Sequence, residues 1–490
     1  MAAWEFALQL DRTARIPLFV QITRAVAADI SRGRLHPGDR LPGTRTLARS
    51  LGVQRQTVVA AFDELLAEGW IVTHRARGTF VATTVPDPKP RRFAQMPPAA
   101  RAPTLPPFEL VPAPETEPPH EIPRGSLFFA PSRPDVRLVP TAMIGSAYRR
   151  AITRRGGDLL SYAHPHGHLK LRTAIAAMLS ARRGMTATAE NICITRGSQM
   201  ALSLVARVLL RPGDVVAVED LGYFPAWQAF RVSGGVVVPV GVDEDGLSVD
   251  ALEALHAQRP IRAVYLTPHH QFPTTVTLSA ARRRQLLEFA ARANVAVLED
   301  DYDHEFHYDG RPVMPLISAD AHGVVIYIGS LSKVLAPALR TGYVVGPPAL
   351  IDRVAAHRAV VDGQGDQILD FALGELFEDG EIQRHVRRVR REYAARRDAL
   401  VTALQRQLGG SLAFTIPAGG IALWARVADG IDVQVWAERA AAGGVVAVPG
   451  GAFALDRRAR PFFRLGFAAL TITELTEAVR RLAAARPATH

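Results

Sequence analysis

The stretch from residue 84 to residue 123 limits most strongly how this chain can be assembled. Its 40 residues hold 13 prolines, as in VPDPKPRRFAQMPPAARAPTLPPFELVPAPETEPP, and show no helical or strand period. Proline lacks an amide N–H and fixes φ, so such a run builds neither a helix interior nor an inner strand. It reads as an extended linker, with an upper-limit reach of roughly 120 Å at ~3.1 Å per residue. A single core continuous across it is excluded, and 490 residues is length enough for two or more domains. The expected division is a small domain over 1–82, a linker over 83–123 and a large domain over 124–490. No internal repeat is visible.

Before the linker, PLFVQITRAVAADISRGRL places Phe19, Ile22, Val26 and Ile30 on one helical face. LPGTRTLARSLGV predicts a short helix ending at Gly52. QRQTVVAAFDELLAEGW predicts a second, with Val58, Phe62 and Leu65 turned inward, and WIVTHRARGTFVA two short strands around a basic turn. Helix, helix-turn-helix and β-wing in that order is a DNA-binding design. Residues 1–82 carry 11 arginines against 7 acids, and the formal charge of +11 on the whole chain suits a polyanionic partner.

Two short helices around a glycine turn are common, but here the order holds over some 65 residues and includes LPGTRTLARSLGVQRQTV and RGTFV. The segment resembles the winged helix-turn-helix of the GntR family. The resemblance implies a double-stranded DNA operator contacted by Arg45, at the start of the second helix, and by Arg55, Gln56 and Thr57, at the start of the recognition helix. Gly78 and Thr79 would carry the wing tip into a neighbouring minor groove. The family usually has serine near Gly43 and Gln54 and often asparagine at Gln56, so the target sequence is not readable here.

Beyond the linker one residue type stands out. Of 58 basic residues only Lys89, Lys170 and Lys333 are lysine. Arginine stays charged, whereas a desolvated lysine can lose its proton and attack a carbonyl to form a Schiff base. Lys89 reads as an exposed linker charge and Lys170, in HLKLRTAIAAML, as a solvated helical residue. Lys333, in GSLSKVLAPALRTGYVVG, is flanked by small residues with no acid close in sequence. The runs VVAVED, AVYLTP, VAVLEDD and GVVIYIGS have the character of buried parallel strands, separated by helical stretches such as SAARRRQLLEFAARA. Ligands of open α/β sheets bind beyond the carboxyl ends of strands. That rule nominates Glu219-Asp220, Pro268 to Gln271, Asp300 to Asp303 and Ser330 to Lys333. The single cysteine, Cys193, excludes an internal disulfide and reads as a buried strand residue. No apolar run approaches a membrane span, and MAAWEFALQLDRTARIPLF carries charges where a signal peptide needs an apolar stretch, so a cytoplasmic location is expected.

A pyridoxal phosphate site needs an amine, a carboxylate beside the pyridine nitrogen, phosphate donors and a ring clamp. Lys333 offers the amine and Asp300 the carboxylate. Ser330, Ser332 and Arg340 suit a phosphate, as do Gly197, Ser198 and Gln199 at a helix start. With YAHPHGHLKLRTAI, TRGSQMAL, LTPHHQFPT, EDDYDHEF and GSLSKVLAPALRTGYVV in this order, residues 125–485 resemble a fold type I aminotransferase, an α/β fold. The two domains together resemble the MocR subgroup of GntR regulators.

That resemblance implies Lys333 as the Schiff-base lysine, Asp300 at the pyridine nitrogen and Tyr302 at the ring hydroxyl. Ser198, Gln199, Ser330, Ser332 and Arg340 would hold the phosphate, with Tyr223 against the ring face and Tyr162 reaching a phosphate across a dimer interface. Arg464, in FFRLGFA, would receive the carboxylate of an amino-compound effector. Trp227 stands near a place where the family often has arginine, and Thr275 where glycine is usual. The histidines of AHPHGH and PHH lack a companion cysteine or a helical spacing, and no metal is read from them. RHVRRVRREYAARR reads as a long solvated helix of a small C-terminal subdomain rather than a second DNA patch. The function implied is a homodimeric, pyridoxal-phosphate-dependent transcriptional regulator. A working aminotransferase acting on an amino acid or amine, and a sensor of pyridoxal phosphate alone, stay open.

Overall fold

In a computed structural model the chain separates into two units, Met1–Val111 and Pro112–His490; the structure describes residues 10–14, 16–74, 77–84, 106, 108–116 and 122–488. Lys89 and most of the proline-rich stretch lie outside the described residues. Residues 108–116 of that stretch form no helix or strand, and Pro114 to Thr116 lie against Phe224, Gln228 and Val232 of the second unit.

In the first unit, α1 (Leu18–Ser31), α2 (Thr44–Leu51) and α3 (Arg55–Ala67) are followed by the antiparallel strands β1 (Ile71–His74) and β2 (Gly78–Val81). Ile22, Val26 and Ile30 of α1 meet Val58, Phe62 and Leu65 of α3 in one core with Leu47 and Trp70, and Phe19 packs at its edge. The α2 helix stops at Gly52, whose φ of +61° sends its N–H back to the Ala48 and Arg49 carbonyls. Glycine takes this left-handed stop without a Cβ clash.

The second unit is built on a seven-stranded sheet. Its strands are β3 (Ile192–Thr195), β4 (Val215–Glu219), β5 (Val236–Val240), β6 (Ile261–Leu266), β7 (Ala296–Asp301), β8 (Val325–Ser330) and β9 (Gly342–Val345). They lie in the order β3-β9-β8-β7-β6-β4-β5, parallel except for β9, which runs antiparallel to both neighbours. The four apolar runs singled out above are β4, β6, β7 and β8, and both faces of these inner strands are covered, as a parallel sheet requires. Pro239 is tolerated in β5 because that strand is an edge. Cys193 lies fully buried in β3.

A second layer is C-terminal. Helix α4 (Glu381–Leu408) packs with a four-stranded sheet that includes Ala422–Val427 and Phe462–Gly466 around a core containing Tyr393, Leu404 and Trp436. This corrects the expectation of a solvated helix. Besides Val386 and Val389, α4 buries Arg396 and Arg397, which an interior tolerates only when they are paired. Arg396 meets Asp135 at 2.9 Å and Arg397 pairs with Asp309. Lys170 is not simply solvated either: its ammonium lies 5.4 Å from the Phe371 ring centre and pairs with Glu378. Among the described residues no helix is long and apolar enough to cross a membrane.

Candidate functional site

The ends of β7 and β8 and the start of helix α5 (Gly197–Leu209) converge on a cavity of ≈ 170 Å³. Its walls include Ser198, Tyr223, Asp300, Tyr302, Ser330, Ser332, Lys333 and Arg340. Close backbone approach makes this convergence possible. A Cβ on Gly342 would sit 2.7 Å from the Gly197 carbonyl carbon, and one on Gly197 would sit 3.0 Å from the Arg340 guanidinium. Two glycines therefore let the helix start, strand β9 and Arg340 share one corner.

Lys333 lies three residues past β8, and its amine donates to the Ser132 carbonyl. Burial lowers its pKa to about 8, against the opposing pull of Asp303 and Asp300. Strand alternation sends Asp300 and Asp301 to opposite faces, and Asp303 lies two residues past the strand. Burial raises Asp300 to about 7, although the Tyr265 hydroxyl donates to its Oδ2 at 2.9 Å; its Oδ1 is buried without a partner. Asp301 faces the other way, toward Tyr327, Arg183 and His304. Burial pushes it up, but His304 and Arg183 outweigh that and hold it well below the usual range. Asp303 pairs with His270 at 2.8 Å.

Three of the expected site residues do not line the cavity. The Gln199 side chain donates to the Pro225 carbonyl at 2.7 Å instead. Tyr162 is 99% exposed. Arg464 is buried just outside the wall, its guanidinium 4.5 Å from the centre of the Phe272 ring, which does line the cavity. It donates to the carbonyls of Pro131, at 2.9 Å, and Pro273, and has no carboxylate partner among the described residues. Trp227 is also buried, packed edge-on to Phe224 and against Gly222.

Sequence reasoning missed Tyr265, Thr267 and Ser132 in the walls. Tyr265 had a signal, since a tyrosine inside a buried strand needs a partner for its hydroxyl. Thr267 uses its N–H and hydroxyl to bond Glu219, at 3.1 and 3.0 Å, and burial raises that carboxyl to about 8.

In the first unit Arg45, Arg55 and Gln56 are exposed and Thr57 is half-buried. Neither Gly43 nor Gln54 caps its helix with a side chain, and α2 and α3 have no acid in their first turns. Both helix starts are thus left electropositive, as phosphate contact requires. Gly78 has φ +109°, and a Cβ there would lie 3.2 Å from the exposed Arg40 guanidinium, a basic neighbour of the wing that the motif did not single out.

Residues 18–81 match the family described as bacterial regulatory proteins, gntR family, and residues 138–482 match aminotransferase class I and II. The chain is 33% identical over 432 residues to the probable rhizopine catabolism regulatory protein MocR of Rhizobium meliloti, covering 87% of this chain and 85% of that protein. It is 32% identical to the HTH-type transcriptional regulator TauR of Rhodobacter capsulatus, covering 95% and 96%. Among solved structures, LysN, the alpha-aminoadipate aminotransferase of Thermus thermophilus complexed with N-(5'-phosphopyridoxyl)-L-leucine, superposes with a TM-score of 0.68 at 31% identity. That match covers 74% of this chain and 92% of LysN.

Proposed function

Since the chain belongs to the MocR group of GntR-family transcriptional regulators, we propose that its aminotransferase-like domain holds pyridoxal phosphate at Lys333 and that an amino compound bound beside it alters operator binding. The observation that carries this reading is the unpartnered Asp300 Oδ1 on the wall of the cavity that also holds Lys333. A buried carboxylate oxygen left without a donor is costly, and a protonated pyridine nitrogen is a donor that would satisfy it. The other walls suit the same guest. The hydroxyls of Ser198, Ser330 and Ser332, the Arg340 guanidinium and the start of α5 suit a phosphate. Tyr223 and Phe272 offer ring faces, and Tyr302 a hydroxyl.

When bound, the cofactor supplies an aldehyde for an amine and a ring that withdraws electrons. The chain's own residues prepare for it. Burial makes Lys333 give up its proton near pH 8, so that a free amine is available where a solvated lysine would stay charged. Tyr265 orients Asp300 by holding one carboxylate oxygen, leaving the other for the ring nitrogen. Arg464, which donates to two backbone carbonyls and has no carboxylate partner among the described residues, would receive the effector carboxylate. Tyr162, which projects into solvent, would complete the phosphate site of a second protomer in a homodimer.

An enzyme must release its product and start again, whereas a sensor gains by keeping its ligand, because differential binding shifts a conformational equilibrium. The test is to screen amines for a change in the visible spectrum of the cofactor-loaded chain, then measure operator affinity and turnover with a keto acid present. A spectral change that alters operator affinity without sustained turnover is expected. Multiple turnovers at roughly 1 per second or faster, with operator affinity untouched, would overturn the reading.

A further inference from the structure

Beside the cavity, four histidines come together from two neighbouring strands of the sheet. His269 and His270 follow β6, and His304 and His307 follow β7. The His269 ring centre lies 4.4 Å from that of His270, 4.5 Å from His304 and 6.2 Å from His307. His269 and His270 are only 5% and 4% exposed. Neither ring nitrogen of His269, nor of His307, has a hydrogen-bond partner among the described residues. Buried polar atoms are nearly always bonded, so four such nitrogens in two neighbouring imidazoles need an explanation.

We propose that His269, His270 and His307 form a binding site for a nitrogen-preferring divalent cation, with Zn2+ as the type case. One ring nitrogen from each lies within 4.8 Å of the others. Tetrahedral zinc at about 2.0–2.1 Å from each nitrogen needs them about 3.3 Å apart, so the three rings would have to close on the ion as it binds. The Nδ1 of His270 is already engaged by Asp303 at 2.8 Å, the carboxylate–histidine pairing that orients a metal ligand and leaves Nε2 for the cation. His304 stands as a wall, its Nδ1 3.2 Å from the Asp301 carboxylate. Three imidazoles leave a fourth position open and favour zinc or its transition-metal neighbours over Mg2+ and Ca2+, which take oxygen ligands. His307, half-buried, is the side of entry. The site adjoins the cavity, since the His270 carbonyl accepts from the Tyr302 hydroxyl at 2.9 Å.

The experiment uses the untagged full chain, stripped with a chelator and titrated with Zn2+ against a chromophoric competitor, with stoichiometry from elemental analysis. One zinc per chain is expected, undisturbed by a large excess of Mg2+. His307→Gln and His269→Phe should each weaken binding by about 100-fold or more. His307→Gln changes a half-buried side chain, so circular dichroism should show it folded even if His269→Phe is not. His164→Gln, at the separate His164–His166 pair whose Nδ1 atoms lie 2.8 Å apart, should leave binding unchanged. Absence of stoichiometric zinc in the wild-type chain would overturn the assignment, as would zinc binding that is undiminished in the folded His307→Gln variant.

Discussion

The two regions of this chain that meet ligands handle charge in opposite ways. In the DNA-binding unit Arg45, Arg55 and Gln56 stand in solvent at helix starts that carry no competing acid. In the large unit Lys333 and Asp300 are desolvated, and burial displaces their proton affinities toward each other, to about 8 and about 7. Solvated charge suits a polyanion, because each contact is modest, screened by salt and replaceable. Desolvated charge suits a small molecule, because a few groups with tuned protonation decide everything. Salt should therefore govern the first region and pH the second.

The largest expected effect follows from removing the amine. Lys333→Ala should lose both the visible absorbance of the cofactor-loaded chain and the label that borohydride fixes on Lys333. Nonspecific DNA binding should change little, since the first unit keeps its own core. A wild-type chain that stays colourless with added pyridoxal phosphate would remove the cofactor from the comparison.

Next comes a pH effect confined to the large unit. Folded Asp300 holds its proton to about pH 7, whereas the unfolded carboxyl releases it near 4. The folded state binds the extra proton between those values. The stabilisation is thus fully present below about pH 4 and is lost as pH rises to about 7. Asp300→Asn should flatten this decline in the cofactor-free chain, on the order of a few kcal/mol across the window. It should not abolish it, because burial raises Glu219 to about 8 and Glu299 to about 7 with the same sign. Urea melts at several pH values, wild type against variant, measure it, and identical profiles would count against a desolvated Asp300.

The small unit gives the next smaller effect. Arg55→Ala should weaken operator binding by about 1–3 kcal/mol if the guanidinium reads a base edge. If it touches only phosphate, specific and nonspecific affinity should fall together and the salt slope should flatten. Unchanged binding to both would take Arg55 out of the interface.

How far the sequence could be read follows the same division. The small unit was legible nearly residue by residue, because local periodicity and the Gly52 stop define its helices and its core. The large unit was legible where strand ends are marked by polar residues: Asp300, Ser330, Ser332 and Lys333 do line one cavity. What stayed hidden depends on partners distant in sequence. Arg396 and Arg397 look solvated until Asp135 and Asp309 arrive from elsewhere in the chain. Gln199 sits at the expected helix start, yet its amide turns to Pro225. His269 and His307 belong to different motifs, and only the adjacency of β6 and β7 brings them together.

The smallest effect concerns how each region pays for left-handed backbone. The small unit uses glycine for it, at Gly52 with φ +61° and Gly78 with φ +109°. The loop that carries Phe272 to the cavity uses Thr275 at φ +67°. A β-branched residue there is strained by roughly 1–2 kcal/mol. The loop is held by Gln271, whose Oε1 accepts from the Thr274 N–H at 3.0 Å and whose carbonyl accepts from the Thr275 N–H at 2.7 Å. Thr275→Gly would release the strain but give the unfolded chain more freedom, an opposing term of about 0.5–1 kcal/mol. The net should be a stabilisation of less than about 1 kcal/mol, read as a higher urea midpoint with an unchanged slope. Thr275→Ala keeps a Cβ at the same φ and should gain less than glycine. Destabilisation by glycine alone would mean that the threonine side chain holds the loop in a way its backbone does not, and strain would no longer distinguish the two regions.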